Sequence, residues 1–147
     1  MPNTSYDYAD LDLNNVAVMY RDGLQIEFYR ELCYPSGWLK SSLEDFSHFI
    51  IAYNQRGRYK DRRILQEHTV AEILTIRNMT SGLCLIWKYT LGDWYGHAGG
   101  VDGGSSYVEF HPQSGIGLMV VSNMHHRSVY PGGKIHALIR RIARRHQ

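Results

Sequence analysis

The stretch DWYGHAGGVDGGSSYVEFHPQSGIGLMVVSN, residues 93–123, decides how this chain folds. An aromatic-flanked segment ends in His97-Ala98-Gly99-Gly100, and a Gly/Asp turn signal follows over residues 101–104. Residues 105–111 then alternate in polarity, residues 112–115 turn again, and residues 116–122 are apolar. Asp-Gly and Pro-to-Gly junctions supply the backbone angles that tight turns need, so three strands in an antiparallel meander are expected.

Downstream, the polar segment His125-His126-Arg127 leads through Pro131-Gly132-Gly133 into a helical pattern. Ile135, Leu138, Ile139 and Ile142 recur at i, i+3, i+4 and i+7, while Arg140, Arg141, Arg144 and Arg145 fall mostly off that stripe. An antiparallel sheet needs a cover for its apolar face. The spacing therefore predicts a C-terminal amphipathic helix with its stripe on the sheet and its arginines in solvent.

Upstream, residues 82–89 read as a strand with one wet and one dry face, feeding through Leu91-Gly92-Asp93 into the meander. Before it, residues 64–76 suggest a short helix after a basic, Gly-containing loop over residues 56–63. A longer helix precedes that loop. Ser41 with Glu44 three residues on forms a capping-box pattern, Asp45 adds negative charge to the first turn, and Gly57 is a natural stop. Leu43, Phe46, Phe49, Ile50 and Tyr53 share its apolar face. Residues 16–20 and 24–29 around Arg21-Asp22-Gly23 suggest a small hairpin, and residues 1–15 read as loop.

Together these patterns predict an α/β (α+β) chain in which flanking helices pack on an antiparallel β-sheet. The 147 residues suit a single domain over residues 1–147, and 44% apolar content can bury a core. A net charge of +2 implies no acidic partner. No apolar run matches a signal peptide or a membrane span, so a soluble chain is expected, with neither membrane nor nucleic acid as partner. The basic C-terminal run is the one feature that would favour RNA or an anionic surface, and docking on the sheet accounts for it equally well. Cys33 and Cys84 lie far apart without metal-ligand spacing and fix no disulfide framework.

Tyr95-Gly96-His97-Ala98-Gly99-Gly100, followed about twenty residues later by an apolar strand ending in Ser122-Asn123, resembles the C-terminal core of the serine β-lactamase and penicillin-binding-protein superfamily. The likeness is to its class C and esterase-like branch, where His-x-Gly stands in for Lys-Thr-Gly. Pro35-Ser36-Gly37-Trp38-Leu39-Lys40-Ser41-Ser42 resembles that family's approach to a helix, with Trp38 in place of a second glycine, and Ile64-Leu65 with Thr69-Val70 is similarly typical. The likeness covers roughly residues 16–146, and only the C-terminal part of the family's domain, a partial β-lactamase-like fold.

The resemblance implies acyl-enzyme hydrolysis of ester, amide or β-lactam bonds by a serine in Ser-x-x-Lys, assisted by a Tyr-x-Asn tyrosine. No Ser or Thr here has Lys three positions on, and no Tyr has Asn two positions on. A hydroxyl without such a partner is a weak nucleophile, so no catalytic residue is assigned and the chain alone is expected to be inactive. Substrate-binding roles carry over to three positions. His97 would face the serine and tyrosine, Gly99 would let substrate approach the strand, and the Gly100 N–H would be one oxyanion donor. Ala98 lacks the hydroxyl of the penicillin-recognising threonine, which leans the site towards esters or amides.

The partner implied is a serine-bearing N-terminal segment or second chain. An exposed apolar scar where that part would pack would also permit homo-oligomers. A non-catalytic binding or interaction module is the alternative reading. Ser36, Ser105 and Ser106 have no base in a recognisable pattern and are expected in turns and strands. His111, His125, His126 and His136 lack a carboxylate or thiolate partner and are expected at the surface, with no metal and no cofactor.

Overall fold

The computed structural model describes residues 1–27, 36–125, 129–131 and 133–146. Several features read from the sequence lie outside these residues: Phe28 and Tyr29 of the first hairpin, Cys33, the Tyr34-Pro35 pair, His126, Arg127 and Gly132.

The expected meander forms from β8 (Trp94–Val101), β9 (Gly104–His111) and β10 (Ile116–Ser122), with β7 (Lys88–Thr90) at the other edge, in the antiparallel order β10-β9-β8-β7. Alternation sorts its residues onto two faces. Tyr95, His97 and Gly99 of β8 stand opposite Phe110, Val108 and Ser106 of β9, which in turn oppose Gly117, Met119 and Val121 of β10. That face meets α1 (Leu43–Asn54). A Cβ on Gly117 would come 2.8 Å from Cγ2 of Ile50, so the bare glycine is what lets the helix lie against β10. Ile50, Tyr53, Cys84, Trp87 and Phe110 form the core here, together with Val70 of α2 (Glu67–Leu74). Phe110 is fully buried, a contribution of about 2–3 kcal/mol.

The opposite face, with Trp94, Tyr107 and Leu118, packs against Val129 and α3 (Lys134–Ala143). The C-terminal helix is therefore where the pattern puts it, but its rotation is different. Ile135, Leu138 and Ile142 are 41%, 49% and 49% exposed, while His136, Ile139, Arg140 and Ala143 turn inward. The cause is Glu109. It shares the α3 face with Tyr107 and is fully buried. Its carboxylate accepts the Tyr107 hydroxyl at 3.0 Å and lies 3.3 Å from Nε of Arg140 and 3.4 Å from Nε2 of His136. A carboxylate stripped of its cation costs about 3–5 kcal/mol, more than any one stripe residue would return by being buried. The helix thus presents its polar flank. His136 is buried rather than at the surface, and Arg140 is not solvated.

Two other expectations need correction. The cap of α1 is Ser42, not Ser41: the Ser42 hydroxyl accepts the Asp45 amide at 3.1 Å. The Ser41 hydroxyl is instead engaged with Thr4, and Asp45 is buried, accepting the Asn3 amide at 2.7 Å and the Thr4 hydroxyl at 2.9 Å. These bonds tie residues 1–15 down, where β1 (Thr4–Ser5) pairs with β4 (Lys40–Ser41) and two 3-10 turns follow. The strand expected over residues 82–89 is also shorter. Only β7 from Lys88 is extended, and a tight turn precedes it, closed by Cys84 N–H to the Trp87 carbonyl at 2.8 Å and Tyr89 N–H to the Gly82 carbonyl at 2.7 Å. Burying Cys84 and Trp87 in the core leaves Leu85 and Ile86 about half exposed.

The first hairpin joins β2 (Met19–Arg21) to β3 (Leu24–Ile26) through Asp22 and Gly23, both at positive φ. It is seated on the β8–β9 turn, where Gly103 leaves the room that a side chain would take from Ile26 and Met19, and where Arg21 pairs with Asp102. The basic loop after α1 forms a second hairpin, β5 (Arg58–Tyr59) with β6 (Arg62–Arg63).

Candidate functional site

β7 pairs with β8 only over Trp94–Gly96, at Lys88, Tyr89 and Thr90. From His97 to Val101, no strand pairs that edge of β8 among the described residues. His97, Ala98, Gly99 and Gly100 thus sit on a stretch of strand bonded on one side only, which is what a substrate or peptide would use for main-chain recognition.

The His97 imidazole projects from the α1 face of the sheet and is exposed. Its ring meets Trp87 edge-on, with centroids 6.5 Å apart. No hydrogen bond or ion pair holds the imidazole among the described residues. The ring fronts an open groove of about 1210 Å³ between the sheet, α1 and the N-terminal segment. Trp38, Leu43, Phe46, Phe49, Trp87 and Met119 give the groove its apolar walls. Lys40 is the only Asp, Glu, Lys or Arg among the described residues lining it, and its ammonium lies over the rings of Trp38 and Tyr8, at 3.9 and 4.1 Å. The groove is therefore largely apolar, with one cation held against two aromatic rings.

Gly99 shares the His97 face, and a Cβ there would come 2.5 Å from the Ser106 hydroxyl on β9. Ser106 thus closes the floor beneath a bare strand. Gly100 points to the other face, where a Cβ would come 2.7 Å from the Tyr130 hydroxyl. That hydroxyl donates to the Gly99 carbonyl at 3.0 Å. Tyr130 is a positioning residue that the sequence did not reveal: a single tyrosine among turn residues has no periodicity to mark it. Its hydrogen bond, worth about 1 kcal/mol, fixes the peptide between the two glycines.

The three serines considered as nucleophiles separate. Ser36 is exposed on a turn. Ser105 faces α3, is buried, and donates to the Met124 carbonyl at 2.8 Å. Ser106 alone shares the His97 face, two register pairs along the ladder, and no hydrogen bond joins the two among the described residues. His111 is bonded to Ser114 at 2.8 Å, and His125 packs beside Tyr130. Among the described residues no cluster of His, Cys, Asp or Glu could hold a metal ion, and no helix is long and apolar enough to cross a membrane.

Glu109, Tyr107, His136 and Arg140 form a second polar cluster that the sequence reading missed. Burial, reinforced by the Glu109 carboxylate and its hydrogen bond, pushes the Tyr107 phenol far up from its ordinary value. The sheet separates this cluster from the groove. It anchors α3, and its side chains lie on the opposite face of the sheet from the His97 imidazole.

The Beta-lactamase family model matches residues 1–139. No curated protein matches the chain.

Proposed function

The chain belongs to the β-lactamase family, and from that premise we propose that it forms one wall of a serine-hydrolase site and lacks a nucleophile of its own. In the acyl transfer this implies, a serine supplied by another segment of the gene product, or by a second chain, attacks the substrate carbonyl. His97 faces that serine and its tyrosine, Gly99 leaves room for the substrate, and the Gly100 N–H is one of two donors to the oxyanion. Ala98, which lacks the hydroxyl that would bond a substrate carboxylate, and the largely apolar groove walls favour esters or amides over carboxylate-bearing β-lactams.

The observation that carries this reading is the position of His97 and Gly99 on an edge with no strand partner among the described residues, fronting an open groove, with no hydroxyl bonded to the imidazole. A second reading, a non-catalytic binding module, is favoured by the groove's size, which exceeds the roughly 300–1,000 Å³ of small-molecule sites.

Intact-mass spectrometry after treatment with a penicillin and with a fluorophosphonate tests the proposal. No adduct is expected on the chain alone. A stoichiometric adduct on one serine would show a nucleophile and overturn it. Labelling that appears on adding a serine-bearing family segment, and disappears in His97→Ala, would support the wall. Labelling in neither condition would leave the binding module.

A further inference from the structure

We infer that the Tyr130 hydroxyl is the positioning group for the Gly100 N–H, the oxyanion donor of the proposed acyl transfer, so the inference rests on that reading of the site. The ladder shows where this N–H points. Tyr89 N–H donates to the Gly82 carbonyl at 2.7 Å, away from β8, and Tyr89 stands opposite Tyr95. Residues opposite each other in an antiparallel pair either exchange both bonds or turn both groups away, and the two kinds alternate along the strand. Tyr95, His97 and Gly99 therefore turn their N–H and C=O groups towards β9, while Gly96, Ala98 and Gly100 turn theirs towards the β7 side. The pairing of β7 reaches no further than Gly96, so the Gly100 N–H faces the open edge, on a residue that is itself exposed.

The same peptide is gripped from behind. The Gly99 carbonyl and the Gly100 N–H are opposite ends of one planar amide, so whatever holds the carbonyl aims the N–H. Besides facing β9, that carbonyl accepts the Tyr130 hydroxyl at 3.0 Å. A donor at the oxygen polarises the amide and makes the N–H at its other end a stronger donor, as in any chain of hydrogen bonds. It also resists rotation of a peptide flanked by two glycines, whose backbone turns most freely. A donor aimed beforehand lowers the barrier because nothing has to reorganise as charge develops on the substrate oxygen.

Tyr130 is itself fixed, and the strand is shaped to receive it. Val129 beside it is fully buried in the core under α3. The Tyr130 carbonyl accepts the Gly133 N–H at 2.8 Å, closing the turn that leads into that helix. A Cβ on Gly100 would come 2.7 Å from the Tyr130 hydroxyl oxygen, but 3.8 Å from Cζ of the same ring and 3.8 Å from Cε1 of His125. Of these contacts only the hydroxyl is too close for a side chain. Gly100 and Tyr130 thus form one device, which places a hydroxyl against the strand from the α3 face and leaves the groove face and the edge clear for substrate.

Fluorophosphonate labelling of the chain mixed with a serine-bearing family segment, followed by intact mass over time, tests the inference. Tyr130→Phe keeps the ring and gives up one hydrogen bond, so it should keep its circular-dichroism spectrum. Its limiting labelling rate should fall about three- to tenfold, short of the about 10²–10³ that follows loss of a whole oxyanion donor. The half-saturating probe concentration should stay at the wild-type value, since the group acts on the transition state. Gly100→Ala should lose at least as much by displacing the hydroxyl, and the double variant should do no worse than Tyr130→Phe, whose ring leaves room for the Cβ. In the chain alone, the Gly100 amide nitrogen should move upfield in Tyr130→Phe. A wild-type labelling rate in Tyr130→Phe, a loss confined to the half-saturating concentration, or additive losses in the double variant would each overturn the inference and leave the wall standing. No labelling of the wild-type mixture would overturn the wall and the inference with it.

Discussion

Replacing Glu109 by Leu should be among the most damaging single changes available in this chain. The side chain is fully buried, and its carboxylate accepts from Tyr107 while facing Arg140 and His136. Leucine has similar bulk, so the loss is electrostatic. Arg140, whose side chain is 15% exposed, would hold a cation against an apolar wall, left with the Leu91 carbonyl at 2.6 Å and the Trp94 ring 5.2 Å away as its partners. Removing one member of a buried pair costs about 3–5 kcal/mol, a large part of the roughly 5–15 kcal/mol that holds a domain together. At this size that corresponds to a fall in Tm of about 10 °C. Arg140→Met should cost a similar amount by stranding the carboxylate. The double variant should cost clearly less than the sum, because neither charge is then left alone. Urea titrations followed by the fluorescence of Trp94, buried beside Arg140, would measure all three. Additive losses, or a Glu109→Leu cost below about 1 kcal/mol, would refute the claim that this pair sets the rotation of α3.

Other outcomes follow from single contacts. Tyr107 has a raised phenol, so the folded state keeps its proton after the unfolded chain has lost it. The stabilisation is complete below the ordinary value of 10.0 and is lost as pH rises above it, and urea midpoints at pH 8 to 11 should decline less steeply in Tyr107→Phe. Gly57→Ala should cost about 2 kcal/mol or more in chemical denaturation, since Gly57 has φ 86° and a Cβ would come 2.2 Å from the Leu65 carbonyl oxygen. Ser42→Ala should cost about 1 kcal/mol and Ser41→Ala less, the reverse of the order suggested by the first serine of the pair. Asp45→Ala should free the N-terminal segment, seen as faster proteolysis before residue 15, because the carboxylate holds both Asn3 and Thr4.

The meander was legible because its signals are local. A period of two, interrupted by Asp-Gly and by Pro-to-Gly, fixes strands and turns without reference to the rest of the chain. The rotation of α3 was not, because apolarity along a helix says only which residues could be buried. What selects the face is the surface it meets, and that surface carries Glu109. The clue lay in β9, where Ser105, Tyr107, Glu109 and His111 fall in one phase and commit a carboxylate to the same side as a tyrosine. The cap of α1 was ambiguous for a similar reason. Ser41 and Ser42 each have an acid three residues on, and the choice is made by Thr4 and Asn3, about forty residues away in sequence. Residues 82–87 misled through composition, since the residues that most favour a strand there are those the core pulls out of line. His97, Gly99 and Gly100 were singled out only as parts of a longer likeness, and the fold places them on the stretch of β8 that β7 does not pair; Tyr130, bonded to the Gly99 carbonyl, belongs to no motif.

The three tryptophans occupy different layers. Trp38 stands on the groove wall beneath Lys40, Trp87 lies in the α1 core beside His97, and Trp94 is buried under α3. The chain therefore carries its own set of optical reporters. Replacing two of the three by Phe would leave an emission spectrum that tracks one layer, so that ligand entry, core loosening and helix release could be timed separately in one stopped-flow experiment.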